Sequence, residues 1–373
     1  MDPKVSFVVP CYKLAHLLRE CVNSILSQTY KDFEVLIMDD CSPDTTAEVA
    51  ASFNDSRVQH VRNQANLGHI ANYNKGIGLS RGKYVWLISA DDCLRRPYLL
   101  EKYVNVMEAH PEVGFAFCPA VKLRDGKEVG TCDYSVISNH DSIFPGPELL
   151  RKLVHENIIV AASGLVRRQC YDKAGMFPLD MPWGGDWYLW CSFALISDAA
   201  YFAEPMVCYR EHQLSMTNLL MDQDLKACSS DDISIPWAIK RKAESAGFQE
   251  VVKSCLQAIA GEYARHIASK RYRTSTDVSM SLDEFETSLA QNSANAKEKR
   301  WLRARVYAEM ADRYYWQGEL SLASRYYGLA VGKNPLMPDI WVKRTLLGCG
   351  DFGGRVRKLR SHIYQRARNS PPA

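Results

Sequence analysis

Hydrophobic positions in the first quarter of the chain fall into short unbroken runs, separated by stretches with helical spacing. Val5-Ser6-Phe7-Val8-Val9-Pro10, Phe33 to Met38 and Val85 to Ile88 are bulky apolar runs of the kind that form strands covered on both faces. Val58 to Val61 is a shorter strand candidate, and Pro10, which has no N–H for a ladder, predicts the end of the first. Between these runs Leu14, Leu17, Leu18, Cys21, Ile25 and Leu26 recur at helical spacing, predicting an amphipathic helix that ends near Gln28. Ser, Asp and Thr in Cys41-Ser42-Pro43-Asp44-Thr45-Thr46 are good caps for a helix through Ala51, the structural role also expected of Asp44 itself. Asn66-Leu67-Gly68 marks a turn before a helix through Leu79. Strands alternating with helices in this way predict an α/β fold with a doubly wound, mostly parallel sheet.

Two of the strand runs end abruptly in paired acids, Asp39-Asp40 and Asp91-Asp92. The carboxyl ends of such strands form the rim where open α/β sheets bind ligands. Adjacent like charges repel unless a cation relieves them, so the second pair suggests a hard divalent metal held by carboxylate oxygen. An acidic turn is the plain alternative, and the rest of the chain has to decide between them.

After Asp92 the pattern predicts a helix through Met107, a strand from Gly114 to Pro119 and a less regular stretch with turns at Asp125-Gly126 and Pro145-Gly146-Pro147. Ile158 to Val166 has the pattern of another strand, and Trp183-Gly184-Gly185-Asp186-Trp187-Tyr188-Leu189-Trp190 opens a helix. The spacing of Trp187 and Trp190 assigns them to the core and leaves Trp183 as the candidate stacking face. From about residue 222 long helical patterns take over, at Trp237 to Ala246 and Val251 to Ser269, with a polar break around Arg273 to Met280. Tyr307, Met310, Ala311, Tyr314, Gly318, Ala323, Tyr327, Ala330 and Pro335 fit one tetratricopeptide-like hairpin. One unit is too little for a solenoid, so the reading is a helical domain over 222–349 that follows an α/β domain over 1–221. Protein docking or oligomerisation is its second reading.

Composition narrows the class. At 373 residues and 47% hydrophobic content the chain can bury two cores. No apolar segment approaches membrane-spanning length, and the first strand starts at Val5 without a charged and apolar leader, so the expectation is a cytoplasmic protein. The 12 cysteines are scattered with no Cys-x-x-Cys pair, as reduced thiols would be. Six basic side chains against Asp351 give residues 350–373 a net charge of +5, leaving −2 for the remainder of a chain whose total is +3. A nearly neutral body argues against nucleic acid as a partner. In the basic tail Val356, Leu359 and Ile363 share one side of a helical pattern, which raises peripheral contact with the inner face of a membrane beside the alternative of a solvated terminus.

No Gly-x-Gly-x-x-Gly follows the first strand, so a dinucleotide fold of that kind lacks its phosphate loop. Instead Val5-Ser6-Phe7-Val8-Val9-Pro10-Cys11-Tyr12, Asp39-Asp40-Cys41-Ser42-Pro43-Asp44-Thr45-Thr46, Asn66-Leu67-Gly68 and Ser89-Ala90-Asp91-Asp92 resemble, in order and spacing, the motifs of family 2 glycosyltransferases with the GT-A fold. The resemblance covers about residues 4–215. It implies a nucleotide-sugar donor whose base stacks on Tyr12 and meets Asp40, in a slot shaped by Pro10, with Asn66 among the donor contacts. It also implies Asp91 near the donor ribose or sugar and Asp92 as a direct ligand of Mn²⁺ or Mg²⁺. Asp186 matches the aspartate of the family's Glu-Asp pair, with Gly185 in the place of the glutamate. Tyr209-Arg210-Glu211-His212 resembles the closing Tyr-Arg-x-His segment, which makes His212 a candidate for metal or diphosphate. Many relatives carry Ala-Arg-Asn where this chain has Asn72-Tyr73-Asn74, so the missing arginine shifts diphosphate neutralisation onto the metal.

The expected chemistry is transfer with inversion, in which an acceptor hydroxyl attacks the anomeric carbon opposite the departing nucleoside diphosphate. Asp186 is the candidate general base, against the alternative of a helix cap. The resemblance places the reaction in assembly of a bacterial surface polysaccharide, with a UDP-sugar donor and a glycan or lipid-linked acceptor. Two other classes compete. A nucleotidyltransferase would want a basic glycine-rich loop where Cys11-Tyr12-Lys13-Leu14 stands, and a helical scaffold with a degenerate catalytic domain would have no need of Asp92, Asp186 and His212 together.

Overall fold

Strand β1 (Val5–Cys11) is buried along its whole length and pairs in parallel with β2 (Phe33–Asp39) on one side and β4 (Tyr84–Leu87) on the other. The structure, a computed structural model, describes residues 2–213, 215–268 and 280–348. The basic tail expected over 350–373 and most of the polar break around Arg273 to Met280 lie outside the described residues. The chain divides into two compact units, Met1–Asp231 and a second that begins at Asp232.

Beyond β2 the first unit adds β3 (Val58–Arg62), and beyond β4 it adds β10 (Leu165–Arg167), β6 (Val113–Phe117), β11 (Asp198–Tyr201) and β9 (Ser142–Phe144), in the order β3-β2-β1-β4-β10-β6-β11-β9. This sheet is mixed. The pairings β3-β2, β2-β1, β1-β4 and β6-β11 are parallel, and the three made by β10 and β9 are antiparallel. A smaller sheet runs β5 (Cys93–Leu94), β12 (Val207–Arg210), β7 (Ala120–Arg124) and β8 (Lys127–Thr131).

Several sequence expectations move by a few residues. β1 continues past Pro10 to Cys11, at the strand's last turn of the ladder where a missing N–H costs least. The short strand β5 intervenes between Asp92 and the helix Leu99–Ala109. The irregular stretch after Phe117 contains the β7–β8 hairpin, closed at Asp125 (φ 50°) and Gly126 (φ 74°). The predicted strand from Ile158 to Val166 is a strand only from Leu165. Ala161–Ser163 forms a 3₁₀ turn, and the Trp86 indole donates to the Ala162 carbonyl at 2.8 Å.

The core of this unit is built on a run of stacked rings, Phe7 on Trp86 (5.4 Å), Trp86 on Tyr103 (5.3 Å) and Tyr103 on Phe202 (4.8 Å). The helix His69–Leu79 lies close over β1 and β2, because Gly76 presents hydrogen where a Cβ would come within 2.4 Å of Val8 Cγ1. That close approach fixes the start of the helix, and with it Tyr73, relative to the strand ends.

The second unit is all helical. It contains Gln249–Ala268, Leu282–Asn292, Ala296–Trp316, Leu320–Lys333 and Pro338–Gly348, around a core that includes Trp237, Tyr263, Phe285, Leu302, Met310 and Tyr327. The predicted hairpin is present as Ala296–Trp316 and Leu320–Lys333. Gly318 (φ 81°) makes the turn, and buried Ala308, Ala311, Ala323 and Ala330 allow close packing. A capping box of Ser281 and Glu284 starts the helix Leu282–Asn292. Among the described residues no helix is long and apolar enough to cross a membrane, and the eleven cysteines described are all free thiols.

Candidate active site

The carboxyl ends of β2, β1 and β4 lie side by side, so the parallel register alone collects the motif residues at one edge. The N–H of Asp40 donates to the Cys11 carbonyl at 2.9 Å, and the N–H of Ala90 donates to the Pro10 carbonyl at 3.1 Å. Pro10, Tyr12, Asp40, Asp91 and Asp92 therefore belong to one rim. Tyr12 is 41% exposed there, an open ring face with Lys13 Nζ 5.0 Å from its centroid.

The two acids of the first pair are both buried and both serve neighbouring loops. Asp39 accepts from Arg62 Nη1 (2.7 Å) and the Ser42 N–H (2.8 Å), with His60 Nε2 at 3.2 Å. Asp40 accepts from the Asn63 amide (2.8 Å) and from the N–H groups of Leu67 (2.8 Å) and Gly68 (3.0 Å), which holds the Asn66-Leu67-Gly68 turn against the strand ends. Asn66 is exposed, and its side-chain oxygen accepts from the Gly68 N–H at 3.0 Å. Asp44 has the capping role expected of it. It accepts from the N–H of Ala15 at 3.1 Å, at the start of the helix Ala15–Leu26, and from Thr46 Oγ1 at 2.6 Å.

The second pair is assembled from opposite ends of the unit's sequence. Antiparallel pairing of β12 with β5 sets Cys208 opposite Cys93, and continuing that register carries Arg210 and His212 past Asp92 and Asp91. The Arg210 N–H donates to Asp92 Oδ1 (2.9 Å), its Nε donates to the Asp91 carbonyl (2.7 Å), and its Nη2 donates to Glu20 (2.7 Å). His212 Nε2 lies 2.9 Å from Asp91 Oδ2. Asp91 Oδ1 is buried with no hydrogen-bond partner. Burial, and after it the charge of Asp91, pushes the Asp92 carboxyl well above the carboxylate range, while the Arg210 N–H and guanidinium pull the other way.

An orphaned carboxylate oxygen, an imidazole nitrogen on its sister oxygen and a second acid whose proton affinity burial raises form a donor set of the right kind for a divalent cation. A cation at this place would reverse the repulsion that raises Asp92. The residues fit such a group.

Asp186 is in the first turn of the helix Gly185–Ala194. Its Oδ2 accepts from the Asn157 amide (3.0 Å) and its Oδ1 from the Trp187 N–H (2.8 Å), and burial raises its carboxyl above the ordinary value. The N–H groups of Trp183 and Gly184, which open this helix, are taken by Asp231 Oδ2 at 2.8 and 2.9 Å. The helix start thus has a capping carboxylate other than Asp186. Trp187 and Trp190 are buried, as their spacing predicted, and Trp183 is half-buried.

What joins this acid to the other two is Tyr73. Its phenol is raised first by burial and then by the charges of Asp91, Asp186 and Asp92. Its ring makes edge contacts with His69 (5.6 Å) and Phe177 (5.5 Å). His69 Nε2 reaches the Pro182 carbonyl (2.9 Å), and Asn74 exchanges hydrogen bonds with the Phe177 backbone, which fastens the segment leading to Trp183 onto the helix His69–Leu79. Tyr209, pushed up to about 12 by burial and the nearby Asp92 and Asp91, stands on the β12 side of the same acids.

Sequence reasoning had no site role for Arg210, Asn157, Asp231 or Tyr73. Arg210 lay inside a quoted motif, and Tyr73 was visible as a departure from the family pattern. Asn157 and Asp231 carried no signal, because their partners are distant in sequence.

A mixed sheet with an acid-lined rim at the ends of its parallel strands, followed by a helical unit, is the GT-A glycosyltransferase architecture. Residues 6–167 match the family model for glycosyl transferase family 2, and this segment is a family 2 glycosyltransferase domain. An uncharacterized glycosyltransferase of Rickettsia typhi is 27% identical over 238 residues, covering 60% of this chain and 68% of the relative. The glycosyltransferase GlyA of Streptococcus pneumoniae is 24% identical over 234 residues, 61% of this chain but only 33% of its own length. Among solved structures, S. aureus TarS 1–349, crystallised with UDP, superposes with a TM-score of 0.58 at 16% identity, covering 89% of this chain and 92% of TarS 1–349.

Proposed function

We propose that the protein is a metal-dependent, inverting glycosyltransferase that moves a sugar from a UDP-sugar donor to a glycan or lipid-linked acceptor in the assembly of a surface polysaccharide. The observation that carries this reading is the partnerless buried oxygen of Asp91 beside His212 and Asp92. S. aureus TarS 1–349 forms crystalline complexes with UDP and with UDP-GlcNAc, which supports the choice of a uridine donor.

In this mechanism Tyr12 offers its exposed face to the base, and the Pro10 backbone and the turn pinned by Asp40 bound the slot. Asp91, Asp92 and His212 would hold Mn²⁺ or Mg²⁺, with Arg210 fixing both acids by its backbone N–H and guanidinium. When bound, such an ion supplies the positive charge that stabilises a leaving diphosphate. Asp186 takes the proton from the acceptor hydroxyl. Its raised proton affinity makes it a stronger base than an exposed carboxylate, and Asn157 orients it. Trp183, at the end of the segment fastened by His69 and Asn74, would contact the acceptor.

The test is a panel of nucleotide-sugars with and without Mn²⁺ or Mg²⁺, reading nucleoside diphosphate release together with glycosylated product. Release of UDP that requires metal and acceptor supports the reading. Pyrophosphate as the product, or turnover unaffected by chelator, overturns it.

A further inference from the structure

The turn between the helices Leu320–Lys333 and Pro338–Gly348 carries Leu336, which is 84% exposed, an unusual position for a large apolar side chain in a well-packed helical unit. It is not alone. Trp341 (44% exposed) and Val342 (48%) stand on the outer side of the next helix, whose inner side buries Ile340. The Trp341 indole donates to the Pro335 carbonyl at 2.9 Å, so its ring is fixed beside the Leu336 turn.

Cations surround this apolar group. Arg344 lies over the Trp341 ring, 5.8 Å from its centroid. Leu336 also borders a cavity of about 620 Å³ whose floor includes Leu256 and Trp301 and whose rim includes Lys297 and Arg300. Lys297, Arg300 and Arg344 are exposed and form no ion pair with any described residue, whereas Arg303 is paired with Glu286 and Arg305 with Asp339. Beyond Gly348 the sequence continues with six basic residues against one acid over positions 350–373.

We propose that this end of the helical unit is a docking surface for an anionic lipid bilayer, with Leu336, Trp341 and Val342 entering the headgroup layer and Lys297, Arg300 and Arg344 meeting lipid phosphates. A protruding leucine and a tryptophan with one polar edge match the boundary between headgroups and acyl chains, and unpaired cations beside them match anionic headgroups. The cavity under Leu336 is large enough for a headgroup and its first methylenes. An acidic protein partner would meet the same charges but gives no reason for a leucine standing clear of the surface. The inference does not depend on the transferase reading, because it is measured without turnover.

The experiment is co-sedimentation of the full chain with vesicles of phosphatidylcholine alone or mixed with phosphatidylglycerol, at low and high salt. Binding is expected only with phosphatidylglycerol, and weaker at high salt. Leu336→Asp with Trp341→Asp, and separately Lys297→Glu with Arg300→Glu, should each weaken it by about tenfold or more while leaving the melting temperature unchanged, since all four side chains are exposed or half-exposed. The proposal is overturned if the wild-type chain ignores anionic vesicles. It is equally overturned if both double variants bind like wild type, which would assign any binding to residues 350–373 instead.

Discussion

Replacing Asp186 with Asn separates the two jobs a carboxylate can do at the start of a helix. The carboxylate now accepts two hydrogen bonds on different oxygens, from Asn157 and from the Trp187 N–H. Asparagine keeps the shape but has one accepting oxygen, so one of the two bonds is lost, at a cost of about 1 kcal/mol. Against this, burial penalises the charge, as the raised proton affinity of Asp186 records, and the neutral amide avoids that penalty. The two changes oppose each other, and the net effect on stability should be within about 1 kcal/mol of zero. A positioned base is worth about 10²–10⁴ in rate, or about 3–5 kcal/mol of barrier. Asp186→Asn should therefore lower kcat by at least about a hundredfold with little change in donor KM or in melting temperature. The pH dependence has a definite sign. Because the folded state raises this carboxyl, the proton it binds stabilises the fold below the unfolded value, and that contribution is lost as pH rises through the folded value. The variant should lack this acid-side gain, and wild-type kcat should fall as pH drops through the same window. Nucleoside diphosphate release and thermal melting across pH provide both readouts. Turnover of Asp186→Asn within a few-fold of wild type would refute the base assignment, and a large loss of melting temperature would show that the residue is a structural cap after all.

The other expectations concern the groups around it. Arg210→Ala removes the guanidinium bonds to the Asp91 carbonyl and Glu20 but leaves the backbone N–H on Asp92; stability should fall by about 1–3 kcal/mol by denaturant titration, with weaker metal-induced thermal stabilisation. His212→Ala and Asp91→Asn should each abolish the melting-temperature increase that Mn²⁺ gives the wild type, and an unchanged increase would remove these residues from the metal site. Asp40→Ala strands the N–H groups of Leu67 and Gly68 and the Asn63 amide, so the turn should loosen, seen as faster amide exchange at those positions and a higher donor KM.

Much of the nucleotide half was legible because parallel strands convert sequence motifs into neighbours. Once Val5 to Pro10, Phe33 to Met38 and Val85 to Ile88 are recognised as strands of one sheet, Tyr12, Asp40 and Asp91 must meet at its carboxyl edge. Where the ladder is antiparallel or the element short, the sequence signal fails. Ile158 to Val166 is apolar enough for a long strand, yet it gives up most of that length to a 3₁₀ turn whose Ala162 carbonyl receives the Trp86 indole, a tertiary demand that periodicity does not carry. The β7–β8 hairpin was marked only by its Asp125-Gly126 turn, since its second strand is largely exposed and has little apolar alternation.

The same distinction explains the acids. Asp39-Asp40 and Asp91-Asp92 look alike in sequence, each a pair at the end of a buried strand, and their surroundings make them different groups. Asp39 and Asp40 are saturated by Arg62, Asn63 and three backbone N–H groups, so their charge is spent on holding loops. Asp91 and Asp92 receive one backbone N–H and one imidazole between their side chains, and one buried oxygen is left with nothing. Leaving a buried carboxylate oxygen unsatisfied costs more than an ordinary hydrogen bond returns, and the cation proposed for this site would complete it. The β5–β12 pairing brings in just enough to position both acids, through Arg210, without neutralising them. A full set of protein donors at Asp91 would stabilise the fold and close the site to a cation.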